Sequence, residues 1–303
     1  MQTQNSSFRS FRGAFTAIVT PFTASGMLDE AQLQAQIERQ VAGSINGIVP
    51  VGTTGESPTL DFDEHIRVIK CAVKYASKKM LVLAGTGANS TKEAIELTKA
   101  AEGVGADGSL QVCPYYNKPS QQGIFEHFCA VADAARLKLI LYNIPGRCGI
   151  DITVETVCRL QRERPESIVG IKVANGSCDY VTELRARLGP DFHILSGDDS
   201  LTLPFSAVGA NGVISVVSNV VPEMVAEMCR MLYVGNFASA RETHARLYKL
   251  TKSLFIDGNP VGVKSAMMQL GLDSGVVRLP LTPVSCVTAS VIQRELVTLG
   301  LLK

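Results

Sequence analysis

A lysine inside an apolar run, a tyrosine closing another, an arginine five residues beyond it and two threonines between glycines have types and settings that suit covalent chemistry. Lys172 lies in IVGIKVANGS, residues 168–177, among Ile168, Val169, Ile171 and Val173. Such runs fit a parallel sheet covered on both faces. An ammonium placed there is costly unless it is paired or neutral. A lysine held neutral is a nucleophile, because desolvation lowers the pKa of the amine. Lys70, Lys74, Lys78, Lys79, Lys92 and Lys99 sit in polar or helical settings. Lys264, in NPVGVKSAMM, is also in an apolar run, but a helix there lets the stem lie on apolar surface with the charge in water.

Tyr142 follows Leu139, Ile140 and Leu141, and reads either as a packed phenol bonded to backbone or as a proton-transfer group. Arg147, in YNIPGR, sits in a loop forced by Pro145 and Gly146. It is either a solvated arginine or a planar fork that clamps a carboxylate. Thr53 and Thr54, in GTTGES, follow a strand, and the flanking glycines let backbone N–H groups approach a small anion; the alternative is a turn with a helix cap. His65, His127, His193 and His244 are too dispersed for a metal cluster, and no Ser-His-Asp or paired-carboxylate arrangement stands out. Asp198 and Asp199 read as a helix N-cap rather than a cation site. Together these groups suit class I aldolase chemistry. The lysine adds to a ketone and forms an imine, a neighbouring carbon loses a proton, and the resulting enamine is a carbon nucleophile. A tyrosine held in a hydroxyl relay suits the proton transfers, and neither metal nor cofactor is needed.

The elements that must hold these groups can be counted. Strand-like runs fall at 15–22, 47–52, 81–87, 108–114, 137–145, 167–174, 192–199 and 211–219. Helical periodicity lies between them, for example at 29–43, which stops at Gly43, and at 91–105, which follows Ser90 as an N-cap. The alternation predicts an α/β parallel (β/α)8 barrel, with a doubly wound sheet as the competitor. No G-x-G-x-x-G opens a helix after any strand, which argues against that competitor. From about residue 222 the pattern is wholly helical, so a C-terminal helical extension is expected. The expected organisation is a polar tail at 1–12, a catalytic barrel at 13–228 and the extension at 229–303. In such barrels catalysis belongs to the C-terminal ends of the strands, which here read PVGTTGES, AGTGANS, CPYYNKPS, YNIPGRCG, KVANGS, SGDD and VVSN.

Composition narrows the classes. The 303 residues are 46% hydrophobic and 19% charged, enough to bury a large core. A formal net charge of +1, from 29 basic and 28 acidic residues, does not recommend nucleic acid as a partner. The 8 cysteines are scattered singly, which suits a reducing compartment better than a disulfide framework. MQTQNSSFRSFRG has no apolar core segment for a signal peptide or anchor, and no run reaches membrane-spanning length. A soluble, cytoplasmic protein is expected.

GTTGESPTL, AGTGAN, CPYYNKPS, LYNIPGR, GIKVANG, SGDD and GVISVVSNV, in this order, resemble the signatures of the 4-hydroxy-tetrahydrodipicolinate synthase (dihydrodipicolinate synthase) family, from about residue 13 into the C-terminal helices. The resemblance implies condensation of pyruvate with L-aspartate-4-semialdehyde on the route to diaminopimelate and lysine. It makes Lys172 the Schiff-base lysine and Tyr142 the central proton donor and acceptor, relayed through Thr54 to Tyr116 from a neighbouring subunit. It implies that Thr53 and Thr54 bind the pyruvate carboxylate and that Arg147 holds the semialdehyde carboxylate. Gly197 and Ile214 would line the pocket with backbone carbonyls. It also implies a homotetramer built as a dimer of dimers. Ser57, Pro58, His65, Asn89, Glu93 and Tyr115 match a dimer-interface pocket at which many members are inhibited by lysine. Phe62 and Pro58 depart from that pocket's pattern in sensitive relatives, so weak or moderate inhibition at best is expected, and Gly262 stands where proline is common. N-acetylneuraminate lyases and keto-deoxy-sugar acid aldolases share the barrel and the lysine. GTTGES and Arg147 argue against them, and the intact lysine, tyrosine and arginine argue against a silent binding relative.

Overall fold

The computed structural model describes residues 10–303, so residues 1–9 of the expected polar tail lie outside the described residues. The chain opens with β1 (Gly13–Thr16), α1 (Glu30–Ala42), β2 (Gly47–Ile48), α2 (Phe62–Ala76), β3 (Leu81–Gly85) and α3 (Thr91–Gly103). It continues with β4 (Gly108–Val112), α4 (Gln121–Ala134), β5 (Lys138–Asn143), the short α5 (Pro145–Cys148), α6 (Val154–Glu163) and β6 (Ile168–Val173). Then come α7 (Cys178–Leu188), β7 (His193–Ser196), α8 (Thr202–Ala207), β8 (Gly212–Ser215) and α9 (Pro222–Tyr233). Helices α10 (Phe237–Ser253), α11 (Val261–Gln269) and α12 (Cys286–Thr298) complete it. The eight strands pair in parallel, in chain order, and β1 closes the barrel on β8. This is the (β/α)8 barrel with extra C-terminal helices.

The helix signals work as read. Asp29 accepts the N–H of Gln32 at 2.9 Å and Ser90 that of Glu93 at 3.4 Å, each cap contributing about 1 kcal/mol. The strands are shorter than the apolar runs, because the C-terminal part of each run leaves the ladder to build the rim. At β2 only Gly47 and Ile48 pair, since Pro50 has no N–H to donate and Val51 turns into the left-handed region at φ +56°. The barrel interior is packed by Phe11, Phe15, Leu81, Leu83, Leu110, Ile140, Leu195 and Ile214. A thicker layer between sheet and helices includes Ile171 and Val173 of β6. Alternation along that strand therefore turns Lys172 inward.

The extension is not a separate body. Val213, Val216, Val220 and Val225 share one apolar cluster with Leu247, Leu250, Leu254, Val263, Met267, Ile292 and Leu296. The eighth barrel helix, α9, runs to Tyr233, so the expected division at 228/229 falls inside it. Among the described residues no helix is long and apolar enough to cross a membrane.

Candidate active site

A cavity of about 220 Å³ opens at the C-terminal ends of the strands, lined by Thr53, Ser57, Tyr115, Tyr142, Arg147 and Cys148 among others. A larger one of about 660 Å³ lies at the opposite end, around Arg12, Gly13, Asn46 and Glu223, where the strands begin. The smaller cavity carries the strand ends on which barrel enzymes build their sites, and Thr53, Tyr142 and Arg147 are in its lining.

Lys172 is buried, and register sets it directly beside Tyr142 on the neighbouring strand. Its Nζ lies over the Tyr142 ring, 4.0 Å from the centroid. Among the described residues no carboxylate pairs with it at salt-bridge distance. Burial lowers its pKa to about 7; the carboxylate of Asp199 opposes that shift and the Arg147 guanidinium adds to it. At neutral pH a large share of this lysine is therefore free amine. Gly197 makes room for it, because a Cβ there would come within 3.0 Å of Lys172 Cε. Ile214 is buried in the interior cluster that also contains Tyr142.

Tyr142 is buried at the end of β5, and burial pushes its phenol well above the usual range. Arg147 and a hydrogen bond with the Thr53 side chain work in the other direction. This corrects the expected relay through Thr54. The Thr54 hydroxyl is buried and already accepts from Asn259 Nδ2 at 2.9 Å. Within the turn, Thr53 is the threonine whose side chain meets Tyr142, while that of Thr54 is turned to Asn259. Arg147 is held by α5, a single turn started by Pro145, and donates to the carbonyl of Asn259 at 3.1 Å.

Tyr116, expected in the same relay, is 89% exposed and stands on a left-handed backbone at φ +73°. It is not among the residues that line the 220 Å³ cavity of its own chain. Tyr115 is adjacent to the Asn89 backbone and feels the Glu93 charge, while Ser57 and Pro58 line the 220 Å³ cavity with it. His65 is buried, with Nε2 2.8 Å from the carbonyl of Gly85, and burial lowers its pKa. The six positions of the expected lysine pocket thus divide, with His65 engaged beneath β3.

Three further residues carry the site and were not singled out for it in the sequence. Asp198 caps the turn after β7 as expected, accepting the N–H of Ser200 at 2.9 Å, but Asp199 is buried and accepts the N–H groups of Val216 and Val217 at 2.8 and 3.1 Å. Asn259 ties Thr54 to Arg147. Lys264 overturns its expected reading with a water-exposed charge: it is 0% exposed, and its Nζ lies 2.6 Å from Glu56 Oε1. Glu56 is part of GTTGES, but its partner is 208 residues away, beyond any local pattern.

The comparisons agree with this geometry. The model of the "Dihydrodipicolinate synthetase family" matches residues 10–297. The chain is 52% identical over 272 residues to the 4-hydroxy-tetrahydrodipicolinate synthase of Persephonella marina, covering 89% of this chain and 92% of that one. The solved 4-hydroxy-tetrahydrodipicolinate synthase of Methylacidiphilum fumariolicum superposes with a TM-score of 0.94 at 48% identity, over 96% of both chains. The dihydrodipicolinate synthase of Acinetobacter baumannii, solved with pyruvate, also gives 0.94, at 41% identity over 97% of this chain and 100% of that one. With a matching model over nearly its whole length and relatives at this identity, the chain belongs to the dihydrodipicolinate synthetase family.

Proposed function

We propose that Lys172 performs the condensation by covalent catalysis. The activity is that of a 4-hydroxy-tetrahydrodipicolinate synthase, a lyase of diaminopimelate and lysine biosynthesis that uses pyruvate. The neutral amine adds to the ketone carbon of pyruvate, water leaves, and the iminium draws a proton off the methyl carbon. The enamine attacks the aldehyde of L-aspartate-4-semialdehyde and a carbon–carbon bond forms. The amino group of that substrate then displaces Lys172 from the imine, closing the ring and freeing the lysine. Tyr142, with Thr53 on its hydroxyl, gives and takes the protons. The N–H groups of Thr53 and Thr54 receive the pyruvate carboxylate, and Arg147 at the cavity mouth receives the carboxylate of the semialdehyde. The carbonyls of Gly197 and Ile214 line the pocket.

One observation carries this reading: an unpaired, buried lysine stacked on a buried tyrosine at the strand ends. Borohydride reduction in the presence of pyruvate tests it. A stable adduct on Lys172, lost in Lys172→Ala, is expected; an adduct elsewhere, or none, rejects the mechanism.

The exposure of Tyr116, which does not line its own chain's cavity, supports an assembly in which each copy lends this residue to its neighbour's relay, as in a homotetramer made of two dimers. Sedimentation of wild type and of a variant that cannot dimerise, each with activity, tests this; an active monomer rejects it. Ser57, Pro58, Asn89, Glu93 and Tyr115, with His65 behind them, form the candidate lysine pocket, where weak inhibition is expected. Unchanged activity in millimolar-scale lysine rejects that pocket. The setting we assign is the cytoplasm.

A further inference from the structure

The turn that carries Thr53 and Thr54 is strained at both ends. Val51 and Glu56 are non-glycine residues in the left-handed region, each at φ +56°. For a β-branched residue such as Val51 this is a true outlier. Residues held this way are strained and persist only where the surroundings over-determine them. The turn is also tight: a Cβ at Gly85 would come within 2.4 Å of the Val51 carbonyl oxygen. Its carbonyls point inward, with Gly52 accepting from Gly55 and Ser57, and Thr53 accepting from Glu56. No acceptor among the described residues takes the N–H of Thr53 or Thr54. Backbone N–H groups so presented form an anion cradle.

What over-determines the turn comes from outside the barrel. Glu56 is 1% exposed and both its carboxylate oxygens are engaged, Oε1 by Lys264 Nζ at 2.6 Å and Oε2 by the N–H of Arg278 at 3.0 Å. Lys264 also donates to the carbonyl of Val276 at 2.7 Å and lies over the Phe22 ring, 4.3 Å from its centroid. The Arg278 guanidinium reaches the carbonyls of Thr59 and Gly26 and the carboxylate of Glu64. Thr20 Oγ1 donates to the Gly55 carbonyl at 2.7 Å. A buried ion pair adds little net stability, because desolvation offsets its attraction. Its effect is directional, and here it fixes the backbone two residues beyond Thr54.

We infer that Lys264 and Glu56 are positioning residues of the synthase: their buried pair locks the strained turn so that Thr53 and Thr54 meet the substrate carboxylate with N–H groups already in place. The inference rests on the reading of those N–H groups as the pyruvate carboxylate site. It extends the working machinery to a helix of the C-terminal extension.

The test is a pyruvate titration of borohydride trapping, with steady-state kinetics, on wild type, Lys264→Met and the double variant Glu56→Gln/Lys264→Met. The double variant removes both members of the ion pair together, so it keeps the test open if the single variant unfolds. Half-saturating pyruvate should rise roughly ten- to a hundredfold in each folded variant. At saturating pyruvate the Lys172 adduct should still form in full, and KM should rise by more than kcat falls. Variants that melt earlier but half-saturate within about twofold of wild type would reduce the pair to a structural role and overturn the inference. An absent adduct in wild type would instead overturn the covalent reading of Lys172 on which the titration relies.

Discussion

Among the described residues two lysines are buried, and their difference separates a reactive amine from a fastener. Lys172 in β6 and Lys264 in α11 both lie against an aromatic ring, 4.0 Å from that of Tyr142 and 4.3 Å from that of Phe22. Burial acts on both to disfavour the charge. Lys264 is offered the Glu56 carboxylate at 2.6 Å, which opposes that shift. Lys172 has only the weaker influence of Asp199, itself occupied by two backbone N–H groups, and its pKa falls to about 7. Burial alone therefore does not make a nucleophile. Burial with the counter-charge withheld does.

The same substitution at the two sites should have opposite consequences. Lys172→Met should lower kcat/KM by at least about a thousandfold, as removal of a covalent nucleophile does. It should also stabilise the fold. Because the folded-state pKa of Lys172 lies below its unfolded value of 10.5, the unfolded chain binds the extra proton, and stability rises with pH between about 7 and 10.5. Removing the amine should thus add on the order of 4 kcal/mol near pH 7, a gain that fades above about pH 10. Lys264→Met should cost about 3–5 kcal/mol instead, by leaving Glu56 buried and unpaired. Denaturant midpoints across pH would check both; shifts of the same sign would erase the distinction.

The two threonines give a smaller contrast. Thr53→Val removes the hydroxyl that meets Tyr142 and should lower kcat about a hundredfold. Thr54→Val strands Asn259 Nδ2 instead and should lower stability by about 1–3 kcal/mol with less effect on kcat. Single-turnover rates with melting curves distinguish them, and the reverse ranking would restore the relay through Thr54. The smallest expected effect is that of pH. The pyruvate trapping rate should fall about tenfold per unit below pH 7 in wild type as Lys172 becomes protonated. The position of this limb should be unmoved in the Glu56→Gln/Lys264→Met variant.

Much of this was legible in the chain. Apolar runs marked all eight strands, and the residues that spoil pairing, such as Pro50, mark where those runs turn into rim. Lys172 stood out because its strand neighbours are apolar on both sides. Lys264 was misread because its helix looks amphipathic enough for the charge to escape, and only the fold brings Glu56 to it. The order of Thr53 and Thr54 was opaque for a related reason. Two adjacent hydroxyls are equivalent in a string of letters, and the turn at Val51 decides which one faces Tyr142. Asn259 gave no signal at all: an asparagine before proline reads as loop punctuation, yet here it bridges Thr54 and Arg147.

The cluster shared by β8, α9 and the last three helices has a wider implication. A chain ending at Tyr233 would retain every strand of the barrel and the lysine itself, but would lose Asn259, Lys264 and Arg278. The set of barrel strands and the complete catalyst are different lengths of this polypeptide. Grafting the tail of one relative onto the barrel of another would accordingly transfer grip on the substrate along with helices.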